Sequence, residues 1–343
     1  MVRRGLIGAF PGAMDVSPGR LCTIVIALSL TLSTTTARAE QIFALADNAP
    51  DLIGEIFLTT TVYEDTLSDL ARAYDQGYQE MKLANPDVDP WIPGEGAEVL
   101  VPNLYVIPDS PRDGVIVNVP EMRMYVFDKK QRSSGAIVRT YPISIGRQNW
   151  TTPKGRMKIV AKAKDPAWYP PQSIREEHAA EGDILPRVVP PGPDNPLGAH
   201  ALRLSEAGYL IHGTNRPYGI GMRVTHGCIR MYPKDVAIVF DQVPIGAPVH
   251  VVNQPYKVGI AHGNVYLEVH PHLDEDDALF ADEYSHVVKL ILDRVKDLEV
   301  ELVWERIKST VKARNGIPQA VGQYRARAPI QKAQMHVPYS GDV

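Results

Sequence analysis

Two short segments of this chain carry the residues whose types and spacing suit covalent chemistry. His212 is followed by Gly213, and Cys228 comes sixteen positions after His212, within Thr225-His226-Gly227-Cys228-Ile229-Arg230. A cysteine attacks an acyl carbon well only as the thiolate, and its pKa falls beside a histidine, an arginine or oriented amides. We therefore predict that Cys228 is a nucleophile and that His212 is the general base that takes its proton and later returns one to a leaving amine.

The neighbours of Cys228 suggest supporting roles. Gly227 allows close backbone approach, and the amides of Gly227 and Cys228 are candidate oxyanion donors. On an extended strand, His226 and Arg230 would share the Cys228 face. His226 would then tune the thiol, bind substrate or act as a structural hydrogen-bonding group, and Arg230 would grip a carboxylate or form a surface salt bridge.

Gly213 removes side-chain bulk beside His212, and a main-chain carbonyl there could fix the imidazole tautomer. Asp165, Asp194 and Asn195 are alternatives that the fold could bring near. A zinc site built from His212, His226 and Cys228 is also conceivable, although no convincing fourth ligand or adjacent base is evident. A serine hydrolase is disfavoured because the chain has no Gly-x-Ser-x-Gly motif.

The first 39 residues are typical of an export signal. Arg3, Arg4 and Arg20 precede the apolar run 21–32, which is too short to span a bilayer, and Ala37-Arg38-Ala39 fits a cleavage site. The whole chain has a formal net charge of −4 and this segment carries +3, so the remaining 304 residues carry −7. Such a balance disfavours nucleic acid as a partner. Cys228 would be the one cysteine left, with no internal disulfide available.

Most of the chain after residue 113 predicts short β-strands punctuated by Gly and Pro, and hence a mainly β sandwich or barrel. The predicted strands are 115–119, 124–127, 137–145, 156–163, 209–212, 248–252 and 265–269. One helix is predicted over 233–243, with proline in its first turn. The pattern from 276 to about 314 predicts a long charged helix, followed after Gly316 by a weakly ordered tail.

A segment with eight prolines spans residues 165–196. A long loop within a compact domain is usually functional, and Trp168 and Tyr169 could cover a cleft, so we favour a lid or substrate wall over an inert linker.

A small module is predicted ahead of the β domain. Helical spacing of Leu67, Leu70, Ala71 and Tyr74, a second apolar face ending at Asn85-Pro86, and a strand closing at Val101-Pro102 indicate two short helices and a strand. A lead-in strand is plausible over 52–60. The module resembles a LysM domain, which implies recognition of N-acetylglucosamine-containing glycans, with a packing or spacer role as the alternative.

Taken together, these motifs resemble the L,D-transpeptidase catalytic domain of the YkuD type, in which His and [Ser/Thr]-His-Gly-Cys stand at this separation. Further agreement lies in Pro142–Gly146, Thr152–Gly155, Asp194–Gly198 and Ile211–Asn215. The resemblance covers residues 41 to 270 and implies the division 1–39 signal peptide, 40–107 LysM-like module, 113–253 catalytic domain and 254–343 C-terminal extension.

The resemblance implies a periplasmic enzyme that acts on peptidoglycan without a metal, nucleotide or organic cofactor. Cys228 would attack the bond between meso-diaminopimelate and terminal D-Ala of a donor tetrapeptide, and an amine would resolve the acyl-enzyme. That amine would belong to a second diaminopimelate or to the terminal lysine of an outer-membrane lipoprotein. The implied substrate-binding residues are His226, Arg230, Gly213, Thr225, Asn215, Trp168 and Tyr169. An L,D-carboxypeptidase that uses water, or a non-catalytic wall-binding protein, are the rival interpretations.

Overall fold

The computed structural model describes residues 42–45, 50–128 and 136–325. The predicted signal peptide and the end of the chain after residue 325 lie outside these ranges. Within them, no helix is long and apolar enough to cross a membrane.

The N-terminal part contains the two predicted short helices and five short strands. In chain order these are β1 (Ile42–Leu45), β2 (Leu52–Gly54), β3 (Phe57–Thr60), α1 (Leu67–Ala73), α2 (Tyr78–Ala84), β4 (Glu98–Val101) and β5 (Leu104–Val106). A capping box starts α1, in which Thr66 and Asp69 each accept a hydrogen bond from the other's backbone amide. The predicted lead-in strand is divided in two at Gly54, whose φ is +87°.

The β-rich part follows, with nine strands and two helices. These are β6 (Gly114–Asn118), β7 (Arg123–Asp128), β8 (Ala136–Gly146), β9 (Gly155–Lys164), α3 (Gln172–Ala180), β10 (His200–Leu204), β11 (Leu210–His212), β12 (Arg223–Thr225), β13 (Ile229–Met231), α4 (Pro233–Gln242) and β14 (Pro248–Val252). Each predicted strand of this part is present within one or two residues.

Eight of these strands close into a barrel, which confirms the predicted mainly β class. The order is β8, β13, β11, β10, β9, β14, β6 and β7, and β7 pairs again with β8. β1 and β12 pair with β8 outside this ring, so the first strand of the predicted module belongs to the barrel sheet. Alternate residues such as Val117, Ile143 and Ile211 fill the interior, and Val236 and Val239 of α4 pack on the same core.

The C-terminal part contradicts the prediction of one long helix. It contains β15 (Tyr256–Ala261), β16 (Asn264–Val269), α5 (Glu283–Val295), β17 (Glu299–Leu302), α6 (Trp304–Ala313) and β18 (Gln319–Arg325). The four strands form an antiparallel sheet in the order β15, β16, β18, β17. Leu298 and Leu302 fit a helical spacing, but Glu299 to Leu302 also alternates polar and apolar, and pairing with β18 selects the strand. The same pairing orders 319–325, where the sequence predicted a weakly ordered tail.

Buried charges join these parts. Arg123 of β7 is fully buried, and its guanidinium donates to both carboxylate oxygens of Glu80 on α2. The Nε–Oε1 distance is 2.6 Å and the Nη2–Oε2 distance is 2.7 Å. Beside this pair, Gly77 lies so close to Gly221 that a Cβ on Gly221 would lie 2.4 Å from the Gly77 Cα. The α2 end of the module therefore packs directly on the segment that leads to β12 and Cys228.

A second buried network ties β15 and β16 to the barrel. The Lys257 ammonium lies 2.9 Å from Glu121 and 2.7 Å from Glu268, and His270 lies 2.6 Å from Glu268. Among the described residues, Glu121, Glu268 and His270 are the group whose ligand atoms are close enough for one metal ion. The lysine already supplies the positive charge there, so we interpret the cluster as an ionic link between the barrel and the C-terminal sheet.

Candidate active site

The sheet register brings the predicted catalytic residues onto one face of the barrel. β11 pairs in parallel with β13, with Ile211 opposite Ile229 and His212 opposite Arg230. Ile211 and Ile229 point into the core, so His212 and Arg230 point outward. Cys228 directly precedes β13 and lies two residues before Arg230, on the same outer side. The strand that pairs with β11 therefore begins after Cys228, whereas β12, which precedes Cys228, pairs with β8.

A cavity of about 790 Å³ covers this face, and both His212 and Cys228 line it. Trp168 and Tyr169, predicted to cover a cleft, line it as well, and so do Trp150 and Tyr209. The proline-rich segment therefore forms a wall of the cleft. It is not only a loop, because residues 172–180 form α3.

His212 is held as a neutral imidazole. It is buried, and its Nδ1 lies 2.7 Å from the Gly213 carbonyl oxygen, as predicted for the group that fixes the tautomer. Burial and the nearby Arg230 guanidinium lower the pKa of His212 to about 4. Since Nδ1 donates to a carbonyl, Nε2 carries the free lone pair and is the atom able to accept a proton.

Cys228 is held as a thiol in the resting protein. Its Sγ lies 3.8 Å from the Gly208 carbonyl oxygen, and the residue is only partly buried. Burial raises the pKa of the Cys228 thiol, against the opposing effects of the Leu210 backbone and Arg230. The sulfur and the imidazole are therefore both neutral in the resting protein.

A tight turn shapes the backbone before Cys228. Thr225 Oγ1 donates to the Cys228 carbonyl at 2.6 Å and accepts from the Gly227 amide at 3.2 Å. Gly227 has φ of +98°, and a Cβ there would lie 2.7 Å from the Tyr209 ring. Thr225 thus braces the turn and is itself buried. The Gly227 amide, predicted as an oxyanion donor, is already bonded to Thr225.

His226 does not lie on an extended strand, because the turn at Gly227 redirects it. Its Nε2 lies 2.9 Å from Glu177 Oε2 and 2.9 Å from Arg147 Nη2, and Arg147 also forms an ion pair with Glu177. Its ring packs against the edge of Trp150, with centroids 5.0 Å apart. Of the roles considered for His226, the structural hydrogen-bonding group fits best, although its ring still lines the cavity.

Glu177 and Arg147 were not predicted from the sequence. Glu177 lies on α3, and its contact with His226 fastens the cleft wall to the turn that precedes Cys228. The signal that could have found this link is the pair of carboxylates, Glu176 and Glu177, on a helical stretch that prolines enclose.

Arg230 forms no ion pair with any carboxylate of the residues that the structure describes. Its Nε is buried with no hydrogen bond in the described part of the chain, and the side chain lines the cavity. Burial and the neighbouring Arg216 lower the pKa of Arg230. An uncompensated guanidinium facing a cleft is suited to an anionic ligand, and the alternative of a surface salt bridge is not what the structure shows.

Gly213 and Asn215, the remaining predicted residues, have different surroundings. Gly213 lies beside His212, where a Cβ would come within 3.2 Å of Val236 and 3.3 Å of the Leu197 carbonyl. Asn215 is exposed and donates to the Asp194 carbonyl at 3.1 Å, so it anchors the base of the cleft wall rather than lining the cavity.

Asn195 has a similar anchoring role. It donates to the Pro166 carbonyl at 2.8 Å and accepts from the Leu197 amide at 2.9 Å. It is therefore not the orienting partner of His212. The zinc alternative also finds no support, since the ligand atoms of His212, His226 and Cys228 do not converge on one point.

A neutral imidazole and a thiol lie on one face of a closed β-barrel, beside a guanidinium that has no ion-pair partner in the described part of the chain. Together they define a cysteine acyltransferase site. The L,D-transpeptidase catalytic domain family, YkuD, matches residues 112–251 of this chain.

Relatives match over a longer range. The probable L,D-transpeptidase ErfK/SrfK of Salmonella typhimurium is 36% identical over 257 residues, which make up 74% of this chain and 81% of that protein. ErfK/SrfK of Escherichia coli is 33% identical over 308 residues, or 87% of this chain and 96% of that protein. The probable L,D-transpeptidase YcfS of E. coli is 40% identical over 215 residues, or 61% and 66%. The chain belongs to the L,D-transpeptidase family, the cysteine-dependent transpeptidases of peptidoglycan.

Proposed function

We propose that this protein cleaves the bond between meso-diaminopimelate and D-Ala of a peptidoglycan tetrapeptide and transfers the acyl group to an amine, with Cys228 as nucleophile and His212 as base. The observation that carries the proposal is the shared outer face of β11 and β13. There, a histidine whose Nδ1 is bound by a carbonyl lies in one cavity with a partly exposed thiol.

The mechanism follows from the resting protonation states. As Sγ attacks the L-centre carbonyl, His212 Nε2 takes the thiol proton, and the pair becomes charged only on the way to the tetrahedral intermediate. Collapse of that intermediate breaks the C–N bond, and the imidazolium returns the proton to the departing nitrogen of D-Ala. The product is a thioester on Cys228, and an incoming amine repeats the steps in reverse order.

The oxyanion of each tetrahedral intermediate needs a donor. Because the Gly227 amide donates to Thr225, we assign this role to the Cys228 amide. The turn braced by Thr225 fixes the direction of that amide. Arg230 lies beside His212 without an ion-pair partner among the residues described, and it would hold a carboxylate of the donor peptide.

Two acceptors are compatible with this chemistry, a second diaminopimelate and the terminal lysine of an outer-membrane lipoprotein; water would give an L,D-carboxypeptidase. Incubation with tetrapeptide muropeptides and a lysine-bearing acceptor peptide, followed by mass analysis, separates these outcomes. We expect D-Ala release together with dimers or lysine adducts. Release of D-Ala without any adduct would show hydrolysis instead, and no release at all would leave a wall-binding protein.

The domain division and location form part of the proposal. Residues 1–39 direct export to the periplasm, 40–107 contain a LysM-like module, 113–253 form the catalytic domain and 254–343 form the C-terminal extension. Two loops of the module, 61–66 and 85–97, are joined by the Thr61 amide, which donates to the Ala97 carbonyl at 3.1 Å. They expose Tyr63 by 83% and Trp91 by 61%, and such aromatic faces suit sugar rings.

Sedimentation with purified sacculi tests the module. In a Cys228→Ala background, Trp91→Ala should reduce the bound fraction, whereas Leu58→Ala, at an exposed apolar side chain of the module's β3, should not. Equal binding by both variants would favour the packing or spacer role.

A further inference from the structure

The floor of the cleft is a regular array of residues from four neighbouring strands. Register pairs Ala163 of β9 with Ala201 of β10, which pairs with His212, which in turn pairs with Arg230. The adjacent row contains Ala161, Arg203 and Leu210, and it ends at Cys228. All eight residues line the cavity.

Arg203 carries the long charged side chain among apolar neighbours on this floor. It pairs with Ala161 on one side and Leu210 on the other, and all three residues line the cavity. Strands lie about 4.8 Å apart, which places the Arg203 Cα roughly 10 Å from that of Cys228 along the same row. Arg203 is exposed, and no carboxylate of the described chain forms an ion pair with it.

The charge of the lining strengthens the inference. The described residues that line the cavity include Lys162, Arg203 and Arg230 but no aspartate or glutamate. Lys162 directs its ammonium to the Val243 carbonyl, at 3.0 Å, and lies over the Phe240 ring. Two guanidinium groups therefore line the cleft, one beside His212 and the other across the floor, and no acidic residue among the described lining residues balances their charge.

We propose that Arg203 forms a second carboxylate subsite, which binds a donor-peptide carboxylate remote from the scissile bond. The inference rests on the proposed function and deepens it. A tetrapeptide stem offers two such groups, the free carboxylate of its γ-linked glutamate and the side-chain carboxylate of diaminopimelate. Both lie farther from the scissile carbonyl than the carboxylate of the leaving D-Ala, as the position of Arg203 requires.

The subsite would act on binding rather than on chemistry. A contact made equally in the ground state and the transition state changes KM and leaves kcat nearly unchanged. A guanidinium–carboxylate contact in a cleft is expected to contribute about a tenfold effect.

The experiment compares the unchanged protein with Arg203→Gln, Arg203→Lys and the control Lys158→Gln. Lys158 is exposed on β9 and does not line the cavity, so its replacement removes the same charge outside the cleft. Each variant is tested with three tetrapeptides: one with free carboxylates, one amidated at glutamate and one amidated at diaminopimelate. Dissociation constants of the same peptides are measured by calorimetry in a Cys228→Ala background.

We expect Arg203→Gln to raise KM and Kd for the free tetrapeptide about tenfold, with partial recovery in Arg203→Lys and no change in Lys158→Gln. On the unchanged protein, one of the two amidated peptides should bind about tenfold more weakly than the free tetrapeptide. On Arg203→Gln, the same amidation should weaken binding no further, and the amidated position then identifies the carboxylate that Arg203 binds. The subsite would be overturned if Arg203→Gln and Lys158→Gln had equal effects. It would also be overturned if each amidation weakened binding by the same factor on Arg203→Gln as on the unchanged protein. If the unchanged protein binds the tetrapeptide yet releases no D-Ala, the proposed reaction fails while the binding data still decide on Arg203.

Discussion

The depressed pKa of His212 leads to a specific pH dependence. The imidazole moves from an ordinary pKa of 6.5 to about 4, first because of burial and then because of Arg230. This difference corresponds to about 3 kcal/mol in favour of the neutral ring. At pH 5 the ring should therefore remain neutral, and D-Ala release should show no acid inflection near pH 6.5.

The same difference affects folding. Between the two values the unfolded chain binds the proton and the folded protein does not, so stability is complete above pH 6.5 and declines as the pH falls toward 4. The loss from this group alone should reach about 3 kcal/mol at the acid end.

Nitrogen-15 NMR of the histidine side chains provides the direct assay, with His212→Gln to assign the signal. We expect titration near pH 4, a protonated Nδ1 and a bare Nε2. Arg230→Gln serves as the control, because removal of its positive charge should raise the pKa of His212. Titration of His212 near 6.5, or the opposite tautomer at neutral pH, would refute this account of the resting site.

Three further substitutions test other parts of the structure. Glu80→Ala leaves a buried arginine charge without its partner and should lower the free energy of unfolding by about 3–5 kcal/mol in urea titrations, whereas a change under 1 kcal/mol would show that the module is only loosely attached. Glu177→Gln should weaken the link to His226, raise KM for the donor peptide and speed amide exchange in 172–180; unchanged exchange would show that other contacts hold the wall. Gly227→Ala should abolish most turnover, since both φ and the space oppose a Cβ, while Gly246→Ala, with φ of +90° but open space, should keep it; equal activity of the two would remove the turn from the mechanism.

The barrel could be predicted from local patterns because its strands alternate strongly. Val115 and Val117 point into one core, and so do Ile143 and Ile145 two strands away. The carbonyl contact of His212 could also be predicted, since the carbonyl belongs to the next residue, Gly213. Strand alternation and contacts between adjacent residues are local features, so they can be predicted from the sequence.

Contacts between distant segments could not be predicted. Glu177 and His226 are 49 positions apart, and nothing local indicates that they meet. Residues 299–302 fit both a helix and a strand, and only their pairing with 319–325 decides between the two. The orientation of His226 depended on one backbone angle at Gly227, which an extended-strand assumption could not supply.

The central claim is that the Cys228 sulfur carries the acyl group. Intact-mass measurement of the protein mixed rapidly with a tetrapeptide donor, without an acceptor amine, tests it most directly. We predict a transient adduct whose mass equals that of the donor minus D-Ala. The adduct should be absent in Cys228→Ala and should form much more slowly in His212→Gln. An adduct that persists in Cys228→Ala, or D-Ala release by that variant at the rate of the unchanged protein, would contradict the account.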